Sequence, residues 1–236
     1  MFQTSVYIFA GCALDIQRAT RQTGWANQSM SKESTKERIL NAAEALFADR
    51  GFAETSLRTI TQRADVNLAS VNYHFGSKKS LIQAVFDRFF RGFVTSLDMQ
   101  LKPLESNQQV PTIDQVLNCL VEPLLSINHS RDNGASNFMK LLGRAYGESQ
   151  GHIRRFTQDN YAHYLQRFTQ QIHRAIPELD ANEMFWRLHF TLGTVIFTLG
   201  GGEALHDIAE AEFSEHADLQ KILARLMPYV AAGLKA

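Results

Sequence analysis

Cysteine is nearly absent from this chain of 236 residues: Cys12 and Cys119 are its only two. They form no CxxC pair and no disulfide framework, which excludes a stapled secreted scaffold and fits a reducing cytoplasm. Proline is equally scarce, at 5 residues, leaving long stretches free of the strongest helix breaker. Net charge is missing as well. Lys+Arg and Asp+Glu each number 24, so the total points to neither nucleic acid nor membrane. No apolar run approaches the roughly 20 residues that span a bilayer, and no membrane partner is expected. The chain has no GxxxxGK[ST], HExxH or GxSxG, and GGG at 200–202 lacks the strand and spacing of a dinucleotide loop. Its 8 histidines are scattered without metal-ligand spacing. No catalytic residue, metal or cofactor is therefore expected.

What is present is apolar periodicity. Hydrophobic residues make up 44% and charged residues 20%, enough apolar side chain for a real core and too much for wholesale disorder. The long segments repeat at helical spacing, so the expected class is all-α. Charge is unevenly spread. Residues 31–90 hold nine basic against seven acidic side chains, and residues 91–236 hold thirteen against sixteen. A nucleic-acid site in the first third would be masked in the total.

Residues 1–30 do not match the rest. The apolar run VYIFAGCAL at 6–14 has no Lys or Arg before it, and residues 17–29 show no period. Neither a signal peptide nor a spanning helix fits. The expectation is an upstream stretch outside the folded protein, with Met30 as the true start. A disordered arm reaching DNA through Arg18 and Arg21 is the alternative.

Residues 31–76 read as three short helices. Ser34 and Glu37 have capping-box spacing. Ile39, Ala42, Ala43, Leu46 and Phe47 make one apolar stripe. Gly51 suits the left-handed stop of a helix. Thr55 is placed to cap a second helix over SLRTITQRA, and Asn67 to cap a third over LASVNYHF. Two short helices joined by a three-residue turn describe a helix-turn-helix, although an ordinary helical hairpin has the same spacing.

The run VNLASVNYHFGSKKSLIQAVFDRF at 66–89 decides between them. With RGF at 50–52 and TSLRTI at 55–60, it resembles the TetR family of transcriptional repressors across residues 35–82. ERILNAAEALFADRGFAETSLRTIT, FMKLLG, SQGHIRRF and FWRLHFTLG are similar to the PsrA-type, fatty-acid-responsive branch of that family. The resemblance implies an N-terminal helix-turn-helix DNA-binding domain, 31–76, followed by a larger helical bundle, 77–236, for effector binding and dimerisation. Carried over by position, Tyr73, His74 and Lys78 contact phosphates, and Thr55 caps helix 2 and touches phosphate. Ser70 and Asn72 face base edges, where an amide suits adenine; many relatives carry an aromatic at the Asn72 position. Arg58 reaches a guanine or a phosphate, and Leu68 and Ala69 offer apolar contact to a thymine methyl.

In the bundle, Ser77 is placed to cap a helix running to Pro103, and Pro123 to kink one beginning at Thr112. NEMFWRLHFTLGTVIFTLGGG is apolar almost all round and should be buried on several sides. The resemblance pairs the last two helices with their two-fold mates, which suits a palindromic operator; Phe197, Leu219, Leu223, Leu226 and Tyr229 are the candidates. Aromatic and aliphatic residues at helical spacing — Phe89, Phe93, Phe138, Leu142, Tyr146, Phe156, Tyr164, Phe168, Trp186 and Phe190 — serve either as core or as walls of an apolar slot. The resemblance supplies a lipid-like effector for such a slot, a long-chain fatty acid or acyl-CoA. Arg144, Arg155, His163 and His189 are the candidates for its head group. The expected protein is a homodimeric cytoplasmic repressor, released from double-stranded operator DNA by that ligand. Its rivals are a regulator needing ligand to bind DNA, and a helical acyl-group enzyme.

Overall fold

A computed structural model describes residues 33–131, 133–148 and 151–236. The expectations for residues 1–30, Arg18 and Arg21 included, lie outside the described residues. Those described form eleven helices and no strand: a small N-terminal helical region on a larger helical bundle.

Helix α1 (Thr35–Glu54) starts at Ser34, whose hydroxyl accepts from the Glu37 amide at 3.2 Å. The reciprocal half of the capping box does not form. The Glu37 carboxylate instead accepts from Arg88 at 3.1 Å, because a guanidinium on a facing helix competes for it. Gly51 (φ 86°, ψ 172°) breaks the helix and turns Phe52 inward. The Phe52 ring lies 5.3 Å from Phe47 and 6.1 Å from Phe86. Helix α2 (Leu57–Ala64) is capped by Ser56, not Thr55. Asp65, in the left-handed conformation, turns the chain into α3 (Leu68–Phe75), where Asn67 Oδ1 accepts from the Ser70 amide at 2.8 Å.

Helix α4 (Lys78–Ser106), capped by Ser77, continues past Pro103. Its buried Leu81 and Val85 join the cluster of Ile39, Phe47, Ile60 and Val71, and its Phe89 and Phe90 enter the bundle core. One helix therefore belongs to both regions. The segment after Thr112 is two helices rather than one kinked helix, α5 (Ile113–Asn118) and α6 (Val121–Ser130). Pro123 has no N–H to offer the carbonyl of residue 119, and the break falls at Cys119–Leu120. Helices α7 (Gly134–Gly147), α8 (Gly151–Ala175), α9 (Ala181–Gly200) and α11 (Leu219–Lys235) follow the sequence pattern. Between the last two lies an additional helix, α10 (Gly202–Phe213). No helix among the described residues is long and apolar enough to cross a membrane.

One charged group sits inside this packing. Glu44 on α1 is buried and accepts from Arg88 of α4 at 3.4 Å and from Arg131, just after α6, at 3.3 Å. Burial raises its pKa above the ordinary glutamate value of 4.5, and the two arginines only partly oppose that. The folded state thus holds the proton more tightly than the unfolded chain. Its contribution to stability is full below that ordinary value and is lost as pH rises through the elevated one. Glu44→Gln should flatten this part of the stability–pH curve, as denaturant titrations from about pH 4 to 7 would measure.

Candidate nucleic-acid interface

The turn between α2 and α3 is held at several points. The Val66 amide donates to the Thr61 carbonyl at 3.1 Å, and Arg38 of α1 lies 3.9 Å from the Asp65 carboxylate. Val71 is the buried anchor of α3; its other face is left to solvent. Leu68, Ala69, Asn72 and Tyr73 are exposed there, Tyr73 to 86%. The Tyr73 ring meets His74 edge-on at 5.1 Å, which orients both. Ser70 is half-buried. Its hydroxyl donates to Asn67 Oδ1 at 3.0 Å, leaving its oxygen lone pairs to face outward partners.

Lys78 is the first residue of α4, half-buried beside exposed Lys79, where free helix amides and two ammonium groups favour an anion. Arg58 is exposed on α2. Of the nine sequence-nominated contacts, Arg58, Leu68, Ala69, Asn72 and Tyr73 are exposed, and Ser70, His74 and Lys78 are half-buried. Thr55 is the correction. It is 0% exposed, and its hydroxyl donates to the carbonyls of Leu46 (3.2 Å) and Gly51 (2.8 Å). It locks the end of α1 and is out of reach of phosphate.

The structure adds residues that motif reading passed over. Thr35, Arg38 and Gln62 line an open, polar groove of about 590 Å³ together with Asn67 and the already nominated Ser70.

The proposed effector residues do not converge on one cavity. Phe138 and Phe168 are core; the Phe138 ring stacks on Phe89 at 5.2 Å and meets Phe90 at 5.3 Å. Phe93, Leu142 and Tyr164 are half-buried against the same core. Tyr146 of α7 is exposed instead, as are Trp186 and Phe190, because α9 turns an aromatic face outward rather than being covered on all sides. His189 sits against that face, its Nδ1 donating to the Phe185 carbonyl at 2.7 Å. Arg144 is engaged elsewhere, donating to the Asp49 carbonyl of α1 at 3.0 Å. Beside it, Glu148 accepts from the amides of Phe52 (3.2 Å) and Ala53 (2.9 Å). A smaller open cleft of about 350 Å³ adjoins this junction, lined by Ala48, Asp49, Lys140, Gly143 and Arg144.

Comparison with known proteins agrees with this geometry at both ends of the chain. Residues 39–85 match the model for bacterial regulatory proteins of the tetR family, and residues 118–233 match the tetracyclin repressor-like C-terminal domain. The chain belongs to the TetR family. Among curated relatives, this TetR-family chain is 34% identical over 99 residues to the probable HTH-type transcriptional regulator YttP of Bacillus subtilis, covering 42% of this chain and 46% of that one. It is 36% identical over 59 residues to the HTH-type transcriptional regulator UidR of Escherichia coli, covering 25% and 30%. It thus spans less than half the length of these relatives. A TetR-like transcriptional regulator from Rhodococcus superposes with a TM-score of 0.57 at 20% identity, over 86% of this chain and 96% of that one. The fatty acid degradation regulator FadR of Bacillus halodurans gives 0.55 at 15%, over 85% and 96%. At such identities the likeness is one of fold.

Proposed function

We propose that this TetR-family chain is a homodimeric DNA-binding repressor, with residues 31–76 as the reading head and 77–236 as the effector and dimer body. The observation that carries it is the outward face of α3. A phenol exposed to 86%, an exposed amide and an apolar pair stand in one row, ending beside Lys78 and Lys79 at a helix N-terminus. A row of that kind has no packing role, and its side chains suit a major groove flanked by phosphates. Tyr73, His74 and Lys78 are assigned to the backbone; Asn72, Ser70 and Arg58 to base edges; Leu68 and Ala69 to thymine methyls.

The body repeats the same face twice in a dimer. Phe197 (69% exposed) and Tyr229 (69%) stay as interface candidates. Leu223 and Leu226 are buried in their own protomer and leave that set, and Leu219 is half-buried against the core. Two heads on one two-fold axis fit half-sites about 34–36 Å apart. For the ligand we propose a long apolar molecule of fatty-acid or acyl-CoA type. It would separate the clustered Phe89, Phe93 and Phe138 rings. The aromatic density there supports this reading, as does the likeness in fold to FadR, itself a regulator of fatty acid degradation. Binding would then favour a body in which the heads no longer match the half-sites.

A gel shift with operator DNA, with and without oleate or oleoyl-CoA, tests the whole reading. Release by ligand is expected; tighter binding with ligand would make the chain a co-repressed regulator. Lys78→Ala should weaken operator and random DNA alike and reduce the salt slope by about one. A loss confined to the operator would move Lys78 to base reading. Asn72→Ala should relax preference at one or two positions per half-site, at a cost of about 1–3 kcal/mol in discrimination.

A further inference from the structure

Sequence spacing gives no metal pattern, but the fold assembles one at the far end of the body. His206 and Glu210 are four residues apart on α10, so their side chains share one face. Ser214 then takes the left-handed conformation (φ 51°). Its amide donates to the Glu210 carbonyl at 3.0 Å, and the Glu215 amide donates to that of Ala209 at 3.2 Å. This reversal carries His216 back over the last turn of α10. Its ring stands edge-on to that of His206, with centroids 4.5 Å apart, and its Nδ1 lies 4.0 Å from Glu210 Oε2. One donor atom from each of the three lies within 4.8 Å of the others.

We propose that His206, Glu210 and His216 bind a divalent transition-metal ion. Two imidazole nitrogens and one carboxylate oxygen suit zinc, nickel or copper(II). Calcium and magnesium prefer oxygen alone, and copper(I) prefers sulfur. Metal–ligand bonds of about 2.0–2.2 Å put neighbouring donors in a tetrahedron about 3.4 Å apart. The Glu210 and His216 donors stand 4.0 Å apart and all three lie within 4.8 Å, a separation that side-chain rotation closes around an ion. Their surroundings favour a cation. From residue 201 to 220 the chain carries six carboxylates and no Lys or Arg. Two cations of α11 oppose them: Lys221 Nζ donates to the His216 backbone carbonyl at 3.1 Å, and Arg225 pairs with Glu215 at 2.6 Å. His206 is half-buried, whereas Glu210 and His216 are exposed, so a fourth position stays open to water. The bound ion ties α10 to the segment leading into α11, and thereby fixes the connection that flanks the exposed Ile208 and Phe213. None of this depends on DNA binding.

Titration calorimetry of the untagged full chain with zinc chloride tests the site, with cobalt(II) as a spectroscopic stand-in. One zinc per protomer is expected, together with visible cobalt bands that EDTA abolishes. His206→Ala and His216→Ala should each weaken zinc binding by at least about tenfold, the lower bound seen for losing even an outer-sphere partner. Glu210→Gln should also weaken it, and the distant His173→Ala on α8 should leave it unchanged. None of the four positions is buried, so circular dichroism should show intact helices throughout. Zinc affinity in His206→Ala and His216→Ala equal to that of the parent overturns the proposal, as does the absence of saturable binding below millimolar zinc.

Discussion

Gly51→Ala is expected to lower the melting temperature sharply. Its φ of 86° and ψ of 172° lie in a region where a Cβ is strained, at about 1–3 kcal/mol. The added Cβ would also collide with Glu148 Oε1. Glu148 would have to move, freeing the Phe52 and Ala53 amides that it now accepts from. Strain of about 1–3 kcal/mol, plus about 1 kcal/mol for each of two hydrogen bonds that water partly replaces, makes about 3–5 kcal/mol. At about 2–4 °C per kcal/mol for a chain this size, the loss is roughly 6–20 °C. Gly92→Ala is the matched opposite. Gly92 is exposed on α4 with open space where the methyl would go, so that change should stabilise by about 0.5–1 kcal/mol. Thermal melts of the two variants beside the parent check both signs. A Gly51→Ala protein melting with the parent would show that Glu148 is not a clamp on α1.

The double substitution Phe190→Glu, Phe197→Glu is expected to leave a folded monomer that no longer holds operator DNA. Trp186, Phe190 and Phe197 lie on one face of α9 at helical spacing, with Gly193 between them. Phe190 is 65% and Phe197 is 69% exposed, so neither contributes much to the protomer's own core. In a two-fold dimer each face appears twice, and burying a Phe is worth about 1.5–3 kcal/mol. Four lost rings and four carboxylates in an apolar seam cost about 6 kcal/mol or more, a shift of at least roughly 10⁴-fold in the dimer dissociation constant. Light scattering after gel filtration reads the mass, and a gel shift reads the consequence. A dimer that persists would place the interface off α9.

Local signals were legible where backbone chemistry decides. Asn67, Ser77, Thr112 and the stop at Gly51 all act where their residue types indicate. The outward side chains of α3 were legible through the family motif. What failed depended on neighbours distant in sequence. Thr55 looks like a cap, but two carbonyls across the end of α1 capture its hydroxyl, and adjacent Ser56 takes the cap. Glu37 has the spacing of a box, but Arg88, fifty-one residues on, holds its carboxylate. Periodicity shows that α9 is apolar all round without saying which face its own protomer covers. The histidine cluster needed a left-handed serine, which no residue preference announces.

Helix α4 has a mechanical consequence. With 29 residues rising 1.5 Å each it is a lever about 43 Å long. Lys78 rides on its tip, while Phe89 and Phe90 are gripped in the body. A pivot of about 10° at Phe89, roughly 16 Å along the helix from Lys78, swings the tip by about 3 Å, the length of a hydrogen bond. Under the proposed function, repacking around those rings would make or break the Lys78 contact to phosphate, and the two heads would fall out of step before either one distorts.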